Sequence, residues 1–426
     1  MQANEVLGFI EENDVKFIRL AFTDAFGQLK NIAILPDQLS TAFEEGIAID
    51  ATAVEGYEGV VDEDLLLCPD PSTLCILPWR PQAGRVCRLL CELVKPDGEQ
   101  FAFGSRAILR RSTQNAKAAG FDVRIATDCE FYLFDLDERG KLTMQTHDEA
   151  GYMDVAPLDR CEDVRRDICL MLEQMDIRPE CSHHERGPGQ NGVDFHRADP
   201  MTAADHYVAF IHAVRSVALR YGVHATFVPK PITEQIGNGL HVNLSFYQDG
   251  NNLFRMTDGV LSETAQAMMA GILRRLPEMT LFLNPLPNSY NRLKSDNAFS
   301  LHCWSMKRDR ACMRIPLPQS RFARMQLSSP DPTMNVYIGF ALLIEAALEG
   351  LRDGALLKDF KTVADEDIQK LPQSLEHAIA LAKDSAFIAK VLPDGLLEQY
   401  VQRAHSMLGE YERDARVFNR KQIMRF

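Results

Sequence analysis

The apolar positions change rhythm along the chain. Before residue 105 they come in short runs: "VKFIRLAFTDAFGQLKNIAILP" predicts two apolar strands around the turn-forming "DAFG". Pro69, Pro71, Pro78 and Pro81 punctuate a stretch expected to be irregular surface, and "GRVCRLLCELV" and "EQFAFGS" predict a further strand pair around "KPDG". From "SRAILRRSTQNAKAAG" onward the period is that of a helix, with Gly120 as its expected C-cap, and helices and strands alternate from there. The expectation is an α+β chain with a small strand-rich domain over 1–105 and a larger domain over 106–426.

Four strands of the larger domain hold the chemistry. Alternation along "FDVRIATDCEFYLFDL" places Asp128, Glu130 and Tyr132 on one face and Cys129, Phe131 and Leu133 on the other. "QNGVDF" follows a Gly-Pro hinge. "GLHVNLSFY" sets His241, Asn243 and Ser245 on one face, and "RMQLSSPDP" sets Gln326 and Ser328 opposite Met325 and Leu327. Among these lies an amphipathic helix, "TAADHYVAFIHAVRSVALRYG", with Ala204, Tyr207, Val208, Ile211, Val214 and Ala218 on one stripe and Gly222 as terminator. From "NVYIGFALLIEAALEGLRDG" to the end the pattern is mostly helical.

Composition narrows the class. The chain has 426 residues, 46% hydrophobic and 25% charged, which is ordinary for a soluble globular protein. A net charge of −14 argues against a nucleic-acid or anionic-membrane partner, because binding phosphate needs a cationic face. No run approaches the roughly 18 apolar residues of a membrane span, and "MQANEVLGFIEENDVKF" does not read as a signal peptide. Ten cysteines without C-x-x-C spacing read as reduced thiols of a cytoplasmic protein and exclude zinc fingers.

The segment "SHHERGPGQNGVDF" raises the question of a metal. His183, His184 and Glu185 look like the start of a site, and Gly192 stands where a returning ligand is expected. Asp128, Glu130, Glu185 and His241 together would suit a hard or borderline cation, Mg²⁺ or Mn²⁺; an acid pair on a strand can equally face solvent. Arg292, Arg308, Arg310, Arg314, Arg321 and Arg324 offer planar guanidinium groups for phosphate or carboxylate, although an exposed charge run explains Arg308 and Arg310 as well. No Walker loop or G-x-G-x-x-G precedes a helix.

In this order and spacing, "FTDAFGQLKNIAILP", "CPDPSTLCILPW", "CEFYLF", "GPGQNGVDF", "HATFVPKP", "GNGLHVNLSF", "NSYNRL", "MRIPLP" and "SSPDPTMNVYIGFALL" resemble the glutamine synthetase superfamily of the bacterial single-chain type. The resemblance implies an N-terminal β-grasp-like domain and a catalytic domain with a curved antiparallel sheet and helices. It also implies a homo-oligomeric ring, hexamer or dodecamer, with active sites between neighbouring subunits. ATP and Mg²⁺ or Mn²⁺ are the implied cofactors, and a small acid and an amine the implied substrates. The acid is phosphorylated and the amine displaces the phosphate.

Residue by residue, the resemblance makes Glu130 and Glu185 ligands of a first metal. His241 and Asp128 (the latter where the family usually has Glu) complete the retained set, with Gln326 in place of a glutamate of the second metal. Asp50 matches an ammonium-binding aspartate, Arg292 an arginine that holds the substrate carboxylate, and Arg314 one that faces phosphates; Arg308, Arg310 and Arg324 are the further candidates for the nucleotide. The departures are as specific. Gly192 replaces a metal glutamate, Ser328 a glutamate-binding arginine, Asp309 a phosphate-facing arginine, Ala53 the last serine of a D-G-S-S loop, and Ala298 the glutamate of a flap. Two readings stay open: a ligase whose substrates are not simply glutamate and ammonia, as for γ-glutamyl amides, or an impaired homologue acting as a binding, regulatory or structural ring.

Overall fold

The computed structural model describes residues 1–307, 309–362 and 367–426. Among these residues the strands form two sheets, one of six and one of ten. The first sheet contains β1 (Val15–Thr23), β2 (Leu29–Ile34), β3 (Ile47–Ile49), β4 (Leu65–Pro69), β5 (Cys75–Ile76) and β6 (Arg85–Val94), in the order β2-β1-β6-β4-β3 with β5 against β6. The β1–β6 pair is parallel and the others antiparallel. Asp24 makes the β1–β2 turn: its buried carboxylate accepts from the backbone N–H of Phe26 at 3.0 Å and of Gln28 at 2.9 Å. This is how a short acid stabilises a turn.

Two expectations for this region change. "EQFAFGS" is not a strand. After a single bridge between Val94 and Gln100, the chain turns so that Gly104 N–H bonds Phe101 O and leads into the helix Ser105–Ala118. Phe101 is drawn into the core against Tyr57, with ring centroids 4.9 Å apart, which outweighs continued sheet pairing. The proline-punctuated stretch contains the short β5, and the N-terminal acidic segment forms a helix, Ala3–Glu12, that buries Val6 and Ile10.

The second sheet contains β7 (Asp122–Leu136), β8 (Leu142–Thr146), β9 (Pro179–His184), β10 (Gln190–Phe195), β11 (Val223–Thr226), β12 (Leu240–Gln248), β13 (Asn251–Asn252), β14 (Leu301–Ser305), β15 (Ala311–Arg314) and β16 (Met325–Leu327). Its main path is β14-β15-β16-β12-β7-β10-β9, antiparallel except for the β14–β15 pair. On one side of β7 lies the helix Pro200–Arg220, whose Ala204, Tyr207, Val208, Val214 and Ala218 are buried as its periodicity predicts, while Ile211 of the same stripe is only half-buried. Behind it, the helices Glu263–Leu283 and Val336–Arg352 touch backbone to backbone: a Cβ on Gly271 would lie 2.2 Å from Ala346 O, and one on Gly350 2.3 Å from Ala267 O. Only glycine permits that approach.

Among the described residues a large apolar core runs through both sheets and their helices, with a smaller cluster around Tyr132 and Phe134 beside it. Polar ties reinforce the junction. Arg106, 5% exposed, joins Asp70 and Glu92 of the first sheet's region to Asp205 on the helix Pro200–Arg220. Asn335 donates to Ala25 O at 3.1 Å and to Ser105 Oγ at 2.8 Å. Among the described residues no helix is long and apolar enough to cross a membrane.

Candidate active site

The antiparallel registers of β9, β10, β7 and β12 line up residues across four strands. Cys181 faces Asp194, Asp194 faces Asp128, and Asp128 faces His241. One pleat away, His183 faces Gly192 and Gly192 faces Glu130, whose N–H donates to Gly239 O. Paired residues share a face of a sheet, so these two rows bring together side chains that are distant in sequence. Asp128, Glu130, Glu185 and His241 line a cavity of about 200 Å³, along with Tyr152, His183, Gly192, Asp194, Arg314, Arg324 and Gln326.

The carboxylates are held individually. Glu130 accepts from Gly239 N–H at 2.7 Å through Oε2, and its Oε1 lies 3.7 Å from His241 Nε2. Asp128 accepts from Asn243 at 3.0 Å and from Gln326 at 3.2 Å. Glu185 Oε1 is 2.8 Å from His183 Nε2. Burial, then the facing Asp194 carboxylate, pushes the Asp128 carboxyl above its usual range, and burial does the same to Asp194. His183 is raised by its bond to Glu185. Burial alone would lower His241, but Glu130, Asp128 and Glu185 outweigh it and raise the ring. A divalent cation among these groups would relieve the repulsion between the acids. By type, three carboxylates and one imidazole suit Mg²⁺ or Mn²⁺, whose binding would strengthen as pH rises because protons must leave.

The positions that the resemblance marks as departures have partners of their own. Gln326 is not arranged as a ligand. Its amide oxygen accepts from Arg314 Nε, while its NH₂ donates to Asp128 and, at 3.0 Å, to Asn243. A carboxylate at this position could not donate to Asp128. Ser328, buried, places its Oγ 2.9 Å from His241 Nδ1 and so fixes the histidine ring. Such outer partners orient metal-ligating histidines. Ser328→Ala should weaken Mn²⁺ binding roughly tenfold without unfolding the protein, as calorimetry and circular dichroism would record. A Cβ on Gly192 would lie 3.0 Å from Glu185 Oε1 and 3.3 Å from His183 Nε2, so those two groups occupy the space of a side chain there. Asp194 reaches the cavity by regular pairing with Asp128; the irregularity comes after it, before Phe195.

The arginines divide. Arg314 and Arg324 line the cavity, and Arg324 Nε donates to Asn243 Oδ1 at 2.8 Å. Arg310 does not: it is exposed and donates to Asp296 O at 3.0 Å. Arg292 is buried beside Gly239 and donates to the carbonyls of Ser329 and Pro330, the latter at 2.6 Å. Arg308 lies outside the described residues. Asp309 accepts from Ser305 Oγ and, at 2.9 Å, from Ala311 N–H, so it closes its own turn. Asp50 is exposed on the first sheet's side of the chain, where it accepts from Thr52 N–H at 3.0 Å; it does not line this cavity.

His184, part of the same histidine pair, serves a different purpose. It is 1% exposed, with Nδ1 2.7 Å from Glu185 O and Nε2 2.9 Å from Asp148 Oδ1. Asp148 also accepts from Gly189 N–H at 2.8 Å and Arg160 N–H at 3.0 Å. This network clamps the hinge between β9 and β10 and so aims Glu185. Tyr152, which lines the cavity, and Asn243, which bonds Asp128, Arg324 and Gln326 on its wall, were not marked as functional by the sequence. Tyr152 comes from a connection without periodicity, and Asn243 carries no charge.

Two family models match the chain: "Glutamine synthetase, beta-Grasp domain" over residues 14–96 and "Glutamine synthetase, catalytic domain" over 103–422. The glutamine synthetase of Clostridium saccharobutylicum is 38% identical over 410 residues, covering 93% of each chain. That of Methanosarcina mazei is 37% identical, covering 96% of this chain and 94% of its own. A solved structure described as GmaS in complex with ADP superposes with a TM-score of 0.85 at 25% identity, covering 96% of each chain. The N-terminal sheet is therefore a β-grasp domain and the larger sheet belongs to a catalytic domain of the same lineage. The chain belongs to the glutamine synthetase family.

Proposed function

We propose that this chain is an ATP-dependent carboxylate–amine ligase that forms a γ-glutamyl-type amide through an acyl phosphate, from substrates other than glutamate with ammonia. In this reading a domain over 1–105 carries Asp50, and a domain over 106–426 carries the cavity. Neighbouring copies form a ring in the cytoplasm, where Asp50 faces the adjoining subunit's site. The observation that carries the reading is the cross-strand gathering of Asp128, Glu130, Glu185 and His241 around one cavity, with Arg314 and Arg324 on its wall.

A bound Mg²⁺ or Mn²⁺ supplies charge screening between the nucleotide's phosphates and the acid substrate. The protein's own part is to hold carboxylates where a cation is wanted, fix His241 through Ser328, and present Arg314 and Arg324 to phosphate oxygens. The terminal phosphoryl group passes from ATP to a carboxylate oxygen and ADP leaves. The amine nitrogen, its proton taken by a carboxylate, then attacks the acyl carbon and phosphate leaves. Ser328 in place of an arginine argues for a different acid. Ala53 and Ala298, in place of polar and acidic residues, argue for an amine bulkier than ammonia.

The competing reading is a ring without catalysis. It is favoured by Gln326, whose NH₂ occupies Asp128 as a cation would. ADP release with Mn²⁺ or Mg²⁺, measured over a panel of acids and amines that includes alkylamines, polyamines and aromatic amines, separates the two. Amine-stimulated ADP formation is expected. Folded protein that neither releases ADP with any pair nor binds Mg-ATP by calorimetry would overturn the ligase reading.

A further inference from the structure

From the wall of the hard-cation cavity outward, β9 and β10 bring together a second donor set of different chemistry. Cys181 and His183 are two residues apart on β9, and Asp194 faces Cys181 across β10. One ligand atom from each lies within 4.8 Å of the others, and Cys181 Sγ is 3.0 Å from Asp194 Oδ2. The cluster opens outward: Cys181 is exposed, and His183 and Asp194 are half-buried. Glycine at 192 belongs to this arrangement, since the His183 ring would lie 3.3 Å from any Cβ there. The position that withholds a carboxylate from the first cavity is thus the one that lets the imidazole lean over the strand pair.

We propose that Cys181, His183 and Asp194, the last two shared with the wall of the first cavity, form a second site for a borderline cation, Zn²⁺ in preference to Mg²⁺, on the edge of the sheet beside Glu185. Thiolate, imidazole and carboxylate are a zinc ligand set, and three protein ligands leave a position for water. Magnesium and manganese favour oxygen donors and disfavour the sulfur. On binding, the Cys181 thiol proton, now donated to Asp194, leaves to solvent and the sulfur bonds the ion. Because Asp194 also faces Asp128, an ion here would lower the repulsion within that carboxylate pair; because His183 holds Glu185, it would change how that ligand is aimed. The other mixed cluster, Asp148, Asp159, Cys161 and His184, does not qualify: all four are buried, and Arg165 already supplies the positive charge beside Asp159.

The test is independent of ligase activity. Reduced, full-chain protein in saturating Mg²⁺ is titrated with Co²⁺, which reports thiolate ligation by a sulfur-to-metal charge-transfer band. Expected are a stoichiometric band that Zn²⁺ removes and Mg²⁺ does not, its loss in Cys181→Ser, and a cobalt affinity lowered tenfold or more in Asp194→Asn with the band retained. Circular dichroism confirms that both variants are folded. Absence of the band in the wild type, or a band of equal strength in Cys181→Ser, would overturn the assignment.

Discussion

Replacing Glu130 by Gln should weaken Mn²⁺ binding at least a hundredfold and lower ATP-dependent turnover by about the same factor or more. Glu130 sits at the middle of the second cross-strand row. One oxygen is anchored on Gly239 N–H and the other faces His241 at 3.7 Å. Glutamine keeps the volume and can still accept from Gly239, so the fold and the register of β7 and β12 should survive. What disappears is the negative charge. A carboxylate is a far better partner for a hard divalent cation than a neutral amide, and a single preorganised electrostatic partner is worth about 10²–10³ in rate. Calorimetric titration with Mn²⁺ and a coupled ADP assay check the two halves separately. A variant that binds Mn²⁺ as the parent does would show that the cation does not sit at this row. The same change should also draw the His241 ring down toward its ordinary range, because Glu130 heads the influences that raise it against burial. Proton resonances of His241 followed through a pH titration should therefore move to lower pH.

How far this site was legible in the sequence follows from what kind of interaction makes each part. Asp128 and Glu130 share a face because a strand alternates, and the period of "FDVRIATDCEFYLFDL" alone says so. His241 and Gln326 were likewise on readable strands. That Asp128 faces His241 on one side and Asp194 on the other is a matter of register between strands, which no local pattern encodes. The edge strand β9 was missed for a related reason. "PECSHH" alternates no apolar residue, and its pairing with β10 decides its conformation. In the N-terminal domain, "DAFG" announced its turn because Asp24 makes it locally. "EQFAFGS" misled because Phe101 answers to a distant ring, Tyr57. The altered positions show the same division. The resemblance implies that Ser328 and Gln326 stand in place of charged residues, whereas their tasks here, holding His241 and bridging Arg314 to Asp128, exist only across strands. Arg310 could be read either way, and exposure with a carbonyl partner places it outside the cavity.

His184→Ala should destabilise the protein by about 3–5 kcal/mol, the usual consequence of removing one partner of a buried ion pair. Both ring nitrogens of His184 face acceptors, a carbonyl and a carboxylate, so both must carry hydrogens and the imidazole is the cation. Burial alone would lower its proton affinity, but the bond to Asp148, then the Glu185 carbonyl, raises it. Burial likewise opposes the Asp148 charge, and His184 together with the N–H groups around it overcomes that and holds the carboxyl well below its usual range. The signs then follow. A histidine raised in the folded state contributes stability that is complete below its unfolded value near 6.5 and fades as pH climbs through the folded one. A depressed aspartate contributes stability present above about 3.9 and lost as acid reaches its folded value. The parent protein should therefore gain most from this pair between those limits, and the difference in urea midpoint between parent and His184→Ala should be largest near pH 5 and shrink on the alkaline side. A loss below about 1 kcal/mol, or one independent of pH, would mean that the pair is not ionised. The variant should also bind Mn²⁺ more weakly than the parent while still folded, because Asp148 and His184 between them hold Gly189 N–H and Glu185 O, the two ends of the hinge that aims Glu185 into the cavity. An alanine that costs stability but leaves Mn²⁺ affinity unchanged would separate the clamp from the site it is built beside.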